Sequence, residues 1–104
     1  MIRNRISLTV AGLLTALTFS SPTHAEPGRL LAAQCAQCHG TNGAGPGFDN
    51  IAGKSASEMF HELREMKYRT QIESIMDRQA RGYTDDQLLL ISTFLSTQAA
   101  GADD

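Results

Sequence analysis

Cys35, Cys38 and His39 stand together in the stretch Cys-Ala-Gln-Cys-His, and a glycine-rich run follows them. Two thiols and an imidazole at that spacing serve three chemistries: a zinc site, a redox-active dithiol, or covalent attachment of a haem. A plain disulfide is a fourth outcome wherever the compartment is oxidising. The rest of the chain discriminates among them.

A structural zinc takes four ligands, and a catalytic zinc takes three plus water. Beyond the cluster, the part that follows the amino-terminal segment offers only the distant His61, and no second cysteine pair exists. A thioredoxin-like dithiol needs a strand-helix-strand setting, and no convincing strand can be read in this chain. A disulfide between cysteines three positions apart closes a very small loop, which restrains the unfolded chain little. A haem uses every residue of the motif. Two thiols reach the two vinyl groups on one side of the porphyrin, and the histidine directly after the second is placed to bind the iron. Cys35-Ala36-Gln37-Cys38-His39 is therefore an attachment signature for c-type haem.

Composition supports that reading. Arg3 and Arg5 precede an apolar run from Ile6 to Phe19, and Thr23-His24-Ala25 offers small residues where a signal peptidase reads. The run falls short of the ~20 apolar residues of a membrane span. A cleaved leader over residues 1–25 and export to the periplasm are expected, leaving 79 of the 104 residues, 26–104, as one domain. So small a core is marginal without a disulfide, a metal or a large cofactor, and a haem supplies the missing apolar bulk. Losing Arg3 and Arg5 leaves seven basic against eleven acidic residues, a net charge of −4 with histidines neutral. No basic run or basic aromatic patch points to nucleic acid.

The elements that must position the motif read as all-α. A helix is expected over Glu26–Gln37, opening at Pro27, with Leu30, Leu31 and Ala33 as its apolar residues and the cysteines at its carboxyl end. Gly40–Gly53, with five glycines and Pro46, reads as a loop. Ser55-Ala56-Ser57-Glu58 has capping-box spacing, and Met59, Phe60, Leu63, Met66 and the stem of Lys67 then recur on one helical face. Tyr68–Glu73 is a polar connection, and Ser74–Tyr83 has no decisive pattern. Thr84-Asp85-Asp86-Gln87 is a second capping box, with acids in the first turn where the helix dipole favours them. Leu88, Leu90, Ile91, Phe94 and Leu95 carry the last helix to about Gln98, and the tail Ala99–Asp104 is expected to fray.

An electron-carrying haem fills both axial positions of its iron. Met59, Met66, Met76 and His61 are the candidates opposite His39. Met59 and Met66 fall on an apolar stripe where core packing is the better reading, and His61 falls on the polar side. Met76 follows the polar connection and precedes Gly82, in a segment able to wrap over the far haem face, which makes it the strongest of the four. A thioether opposite the histidine raises the reduction potential.

The attachment motif, the helix order and the late methionine together resemble a class I c-type cytochrome over residues 27–98. "LLAAQCAQCHGTNGAGPG" is similar to the first helix and attachment loop, "IAGKSASEMFHELREMK" to the middle helix, and "LLLISTFLS" to the last, with Phe94 where an aromatic packs on helix one. "SIMDRQARGYTDDQLLLIS" resembles the haem-subunit segment of flavocytochrome c sulfide dehydrogenases. The methionine before such an Arg-x-Ala-x-Gly-Tyr run ligates the iron, so the resemblance implies Met76 as sixth ligand. It also implies the wrapped helical fold, one covalent haem c on Cys35 and Cys38, and iron between His39 and Met76. The family commonly has a proline shortly before Ile-Ala-Gly, its carbonyl accepting the proximal histidine's ring N–H. Asp49 stands there in this chain; any backbone carbonyl can orient the ring.

The expected function is periplasmic one-electron transfer, without bond chemistry, as the cytochrome subunit taking electrons from a flavoprotein sulfide dehydrogenase. A downstream cytochrome or oxidase is the expected acceptor. The alternatives are a free soluble shuttle between respiratory complexes and a haem sensor or peroxidase-like enzyme with an open iron site, which a bound Met76 would block. The neutral rim around Ala36, Gln37 and Pro46, with no lysine ring, fits a lasting subunit contact better than charge-steered encounters.

Overall fold

A computed structural model describes Gly12 and residues 26–101. The leader expected over residues 1–25 and the terminal residues 102–104 lie outside the described residues. Five α-helical segments run in order, with no strand among the described residues: α1 Arg29–Ala32, α2 Ala36–His39, α3 Ala56–Tyr68, α4 Ile75–Arg81 and α5 Asp85–Ser96. None is long and apolar enough to cross a membrane.

The first helix begins later than its sequence pattern predicts. Pro27 lies in a turn closed by the Arg29 amide on the Glu26 carbonyl (3.1 Å), and the helix opens only after Gly28, whose φ is +89°. The cause is a crossing with α5. A Cβ at position 28 would stand 2.2 Å from the Leu90 carbonyl oxygen, so the chain passes α5 at backbone contact and turns helical afterwards. From α1 the chain tightens into a 3₁₀ turn over Ala33–Cys35 and continues as α2, carrying the helical path two residues beyond Gln37 to His39.

α3 forms where expected, capped by the Ser55 hydroxyl accepting from the Glu58 amide at 3.4 Å. The expected box closes on one side only, and Ser55 Oγ also bonds Ser57 Oγ at 3.0 Å. The undecided segment Ser74–Tyr83 is helical as α4, with a complete capping box between Ser74 and Asp77. The box predicted at Thr84 and Gln87 is complete on both sides and opens α5. α5 ends at Ser96, and the chain beyond does not lift away at once. Ala100 packs near Gly53, and Gly101 lies tightly against Ala44, so the expected fraying fails over these described positions.

The core is the inner face of α5 set against α1 and α3: Leu88, Ile91, Phe94 and Leu95 bury with Ala32 and Met59. Phe94 packs in the same cluster as Ala32, as the last-helix aromatic was expected to do against the first helix. Leu90, expected on that stripe, is exposed, and its backbone is where Gly28 crosses. The wholly buried Ser92 is tolerated because its hydroxyl donates to the Leu88 carbonyl at 2.8 Å.

Candidate functional site

The cysteines arrive at the end of the first helical path, and the following loop turns back under them. Gly40, at φ +79°, makes that return possible: a Cβ there would meet the Gly45 carbonyl oxygen at 2.2 Å. The loop is closed by backbone bonds. The Gly45 amide donates to the His39 carbonyl (2.8 Å), the Phe48 amide to Cys38 (2.7 Å), and the Ile51 and Ala52 amides both to Gly43 (2.9 and 3.0 Å). The Gly53 amide on the Leu95 carbonyl at 2.9 Å ties the loop's far end to α5.

Asp49 occupies a decisive place in this loop. Its carbonyl oxygen is 2.6 Å from His39 Nδ1. A carbonyl only accepts, so Nδ1 carries the proton and Nε2 keeps its lone pair for a metal. The backbone thus supplies the orienting acceptor without a proline.

Cys35, Cys38, His39 and Met76 all line one cavity of about 240 Å³. Its walls are otherwise largely apolar, with Ile51, Leu63, Leu88, Ile91 and Leu95 among them, and Gln34, Gln37, Lys54 and Glu62 bring polar groups to it. Met59 and Met66 face the same space from α3. Met59 is also part of the buried cluster, which agrees with its packing role. His61 does not join the site. Its side chain is 74% exposed and pairs with Glu65 at 3.0 Å.

Among the described residues no group of three or more His, Cys, Asp or Glu side chains is placed to hold a metal ion. Both thiols are free. Burial, with a smaller contribution from neighbouring Cys38, pushes the Cys35 thiol above its ordinary 9.0. Two free thiols and an oriented imidazole beside a largely apolar cavity fit a large, flat, covalently held cofactor. The free sulfurs stand where thioether sulfurs would be.

Three contributors carried weaker sequence signals. Asp49 takes part through its backbone, to which residue type is almost irrelevant. Tyr83 lines the cavity, and its hydroxyl donates to the Leu31 carbonyl at 3.4 Å, holding the start of α5 near the first helix. Asp77, directly after Met76, is wholly buried. The Glu73 amide, chief among its neighbours, holds the Asp77 carboxyl below the usual carboxylate range. The Ser-x-x-Asp spacing at Ser74 was the available signal, with the shorter Asp in place of the usual Glu or Gln.

Comparison with known proteins agrees with the geometry. The Cytochrome c family model matches residues 25–99. Over 74 residues the chain is 32% identical to the cytochrome subunit of sulfide dehydrogenase from Chlorobaculum tepidum, an alignment covering 70% of this chain and 67% of that protein. The matched span contains the cysteine motif, the loop and all five helical segments. The chain therefore belongs to the cytochrome c family, as a small all-α class I c-type cytochrome whose cofactor is covalently attached haem c with its iron.

Proposed function

We propose that this cytochrome transfers single electrons with His39 and Met76 as axial ligands, as the subunit that accepts electrons from a flavoprotein oxidising sulfide. The observation that carries the reading is that the two thiols, the imidazole and the Met76 thioether line one cavity, the first three from the attachment segment and the last from α4. When bound, haem c supplies a one-electron Fe(III)/Fe(II) couple. Cys35 and Cys38 anchor it, the Asp49 carbonyl fixes the His39 ring, and the apolar walls exclude water. Met76 is favoured over Met59 because the latter is committed to the packed cluster, and over Met66 because Met66 shares that same helical face. A thioether ligand raises the potential and closes the iron to small molecules, which favours electron transfer over sensing or peroxidase chemistry.

The partner reading draws on the relative's name and on the rim. Phe48, 71% exposed, is bonded through its amide to Cys38, and Ile75, 72% exposed, lines the cavity beside Met76. Exposed apolar residues thus stand in the cavity lining beside Met76 and in the loop bonded to Cys38, and among the cavity's described lining residues Lys54 is the one lysine or arginine. Apolar burial holds lasting interfaces, whereas charge mainly steers brief encounters. A downstream cytochrome or oxidase then takes the electron. Cleavage after Ala25 and residence in the periplasm complete the proposal, with residues 26–104 as the mature domain.

The test is spectroscopic. Met76→Leu is expected to remove the weak sulfur-to-iron band of the oxidised protein and lower the potential. Met66→Leu keeps the band and costs under about 1.5 kcal/mol, because it roughly conserves volume. Persistence of the band in Met76→Leu with its loss in Met66→Leu reverses the assignment. Isolation from the native host with a flavin-containing subunit supports the partner reading; a lone monomer whose electron transfer falls steeply with salt supports the free shuttle.

A further inference from the structure

Met76 is the second residue of a helix only seven residues long, so what fixes the start of α4 also fixes its thioether. The residue next to it does most of that fixing. Asp77 has no accessible surface, a rare state for an aspartate. Its Oδ2 accepts from the Glu73 amide at 2.8 Å and the Ser74 amide at 3.2 Å, while its own amide donates to Ser74 Oγ at 3.2 Å. Its Oδ1 has no hydrogen-bond partner; the nearest cation is Arg69 Nε, 3.9 Å away. Arg69 is in turn held by Glu73 at 2.7 Å, and the Arg81 guanidinium donates to the Arg69 carbonyl. Both ends of α4 are thus clasped to the connection over residues 69–74, with the buried carboxylate at the end that carries Met76.

A buried acid with an unsatisfied oxygen is a costly way to cap a helix. An exposed Ser or Asp cap gives the same local stability without burying a charge. What burial adds is a fixed position. We propose that Asp77 is the positioning residue that holds the Met76 thioether toward the iron, an inference resting on the reading of Met76 as sixth ligand. It acts through the backbone it ties and does not itself touch the haem. Its loss leaves the amides of Glu73 and Ser74 unpaired and frees the first turn of α4, so that Met76 samples positions away from the metal.

The experiment uses the haem-loaded protein. Asp77→Ala is expected to weaken the sulfur-to-iron band, lower the potential and tighten imidazole binding at the iron at least about tenfold, the scale on which outer partners tune a metal's ligands. Far-UV circular dichroism keeps its helical signal. Asp77→Asn, which retains an acceptor for both amides, restores most of the band. If Asp77→Ala does not accumulate with haem, Asp77→Leu replaces it, since it keeps a branched side chain there but offers no acceptor to either amide. An unchanged band, potential and imidazole affinity in the variant that folds overturns the proposal, whatever its melting temperature. Met76→Leu separates the two claims. If it keeps the band, the ligand reading falls and this proposal with it. If it loses the band while Asp77→Ala or its replacement keeps it, only the positioning role falls.

Discussion

The two sides of the cavity are built by different means. The side that carries Cys35, Cys38 and His39 is closed almost wholly by backbone bonds, from the Gly45 amide on His39 to the Gly53 amide on Leu95. The side that carries Met76 is closed by side chains: Ser74 with Asp77, Arg69 with Glu73, Arg81 with Arg69, and Tyr83 with Leu31. Backbone closure does not depend on residue type except where a side chain would collide. Side-chain closure can be undone one residue at a time. The first arrangement suits a permanent attachment, and the second suits the adjustable ligand proposed at Met76.

The largest effect that bears on this contrast is loss of the attachment itself. Cys38→Ala is expected to give a denatured mass lacking haem in most of the chain, or a small heterogeneous haem-bearing fraction, when produced in cells competent in cytochrome c maturation. The apo chain should be poorly folded, because the cavity would lose the group that fills it and a domain this small has little other core. A well-folded, cooperative apo form would show that the five helical segments hold without the haem.

Next comes the backbone side. Gly40→Ala puts a Cβ against the Gly45 carbonyl at a positive φ, which should destabilise the protein by at least about 2 kcal/mol through overpacking and strain. Denaturant unfolding of the haem-loaded form measures it. The attachment loop, and not the thioether ligand, takes the damage, so the sulfur-to-iron band should survive in whatever protein folds. A cost below half that value would mean the loop is held more loosely than its bonds imply.

How far the sequence could be read follows the same division. The attachment motif is legible because covalent and coordination chemistry demand fixed residue types at fixed spacing, and Cys35, Cys38 and His39 face one cavity accordingly. The helix over Ala56–Tyr68 and the box at Thr84 are legible because period and cap agree. The late opening of the first helix was hidden, because it depends on where Gly28 crosses Leu90, sixty-odd positions away in the chain. The helix at Ile75–Arg81 was hidden for a different reason. Only Ala80 and Asp77 in it are buried, so no apolar stripe marks it and its order comes from the clasp. Asp49 could be located but not judged from sequence, since its backbone carbonyl does the work.

A smaller effect sharpens the side-chain half of the comparison. Ser74→Ala removes one arm of the α4 box and leaves Asp77 Oδ2 on the Glu73 and Ser74 amides. The expected loss is about 1 kcal/mol, as for other caps. The ligand band should weaken less than in Asp77→Ala, since the carboxylate still ties the turn. Equal weakening in both variants would place the hydroxyl, and not the acid, at the centre of the clasp.

The smallest expected effect lies outside both walls. Asp85 receives Lys67 Nζ at 2.8 Å and the Tyr68 hydroxyl at 2.8 and 2.9 Å, with Arg64 Nε at 3.5 Å, joining α3 to α5. The bond from Lys67, and after it the one from Tyr68, hold the Asp85 carboxyl below its ordinary 3.8, and the Asp85 bond raises Lys67 above 10.5. For the acid, a lowered folded value means that its stabilisation is present above 3.8 and is lost as pH falls through the lower value. For the lysine the contribution is complete below 10.5 and is lost as pH rises through the raised value. Asp85→Asn should therefore melt below the parent at neutral pH and converge with it in strong acid, where the parent's carboxyl is also uncharged. The cluster is exposed enough that 1 M salt, with a screening length of about 3 Å, should shrink the neutral-pH difference. Melting curves against pH at low and high salt measure both trends. The sulfur-to-iron band should not move at neutral pH, because no bond in this cluster reaches the Asp77 clasp or the attachment loop. A band that shifts in Asp85→Asn would show that the α3–α5 junction also holds Met76, and the separation between the two walls and the rest of the fold would fail.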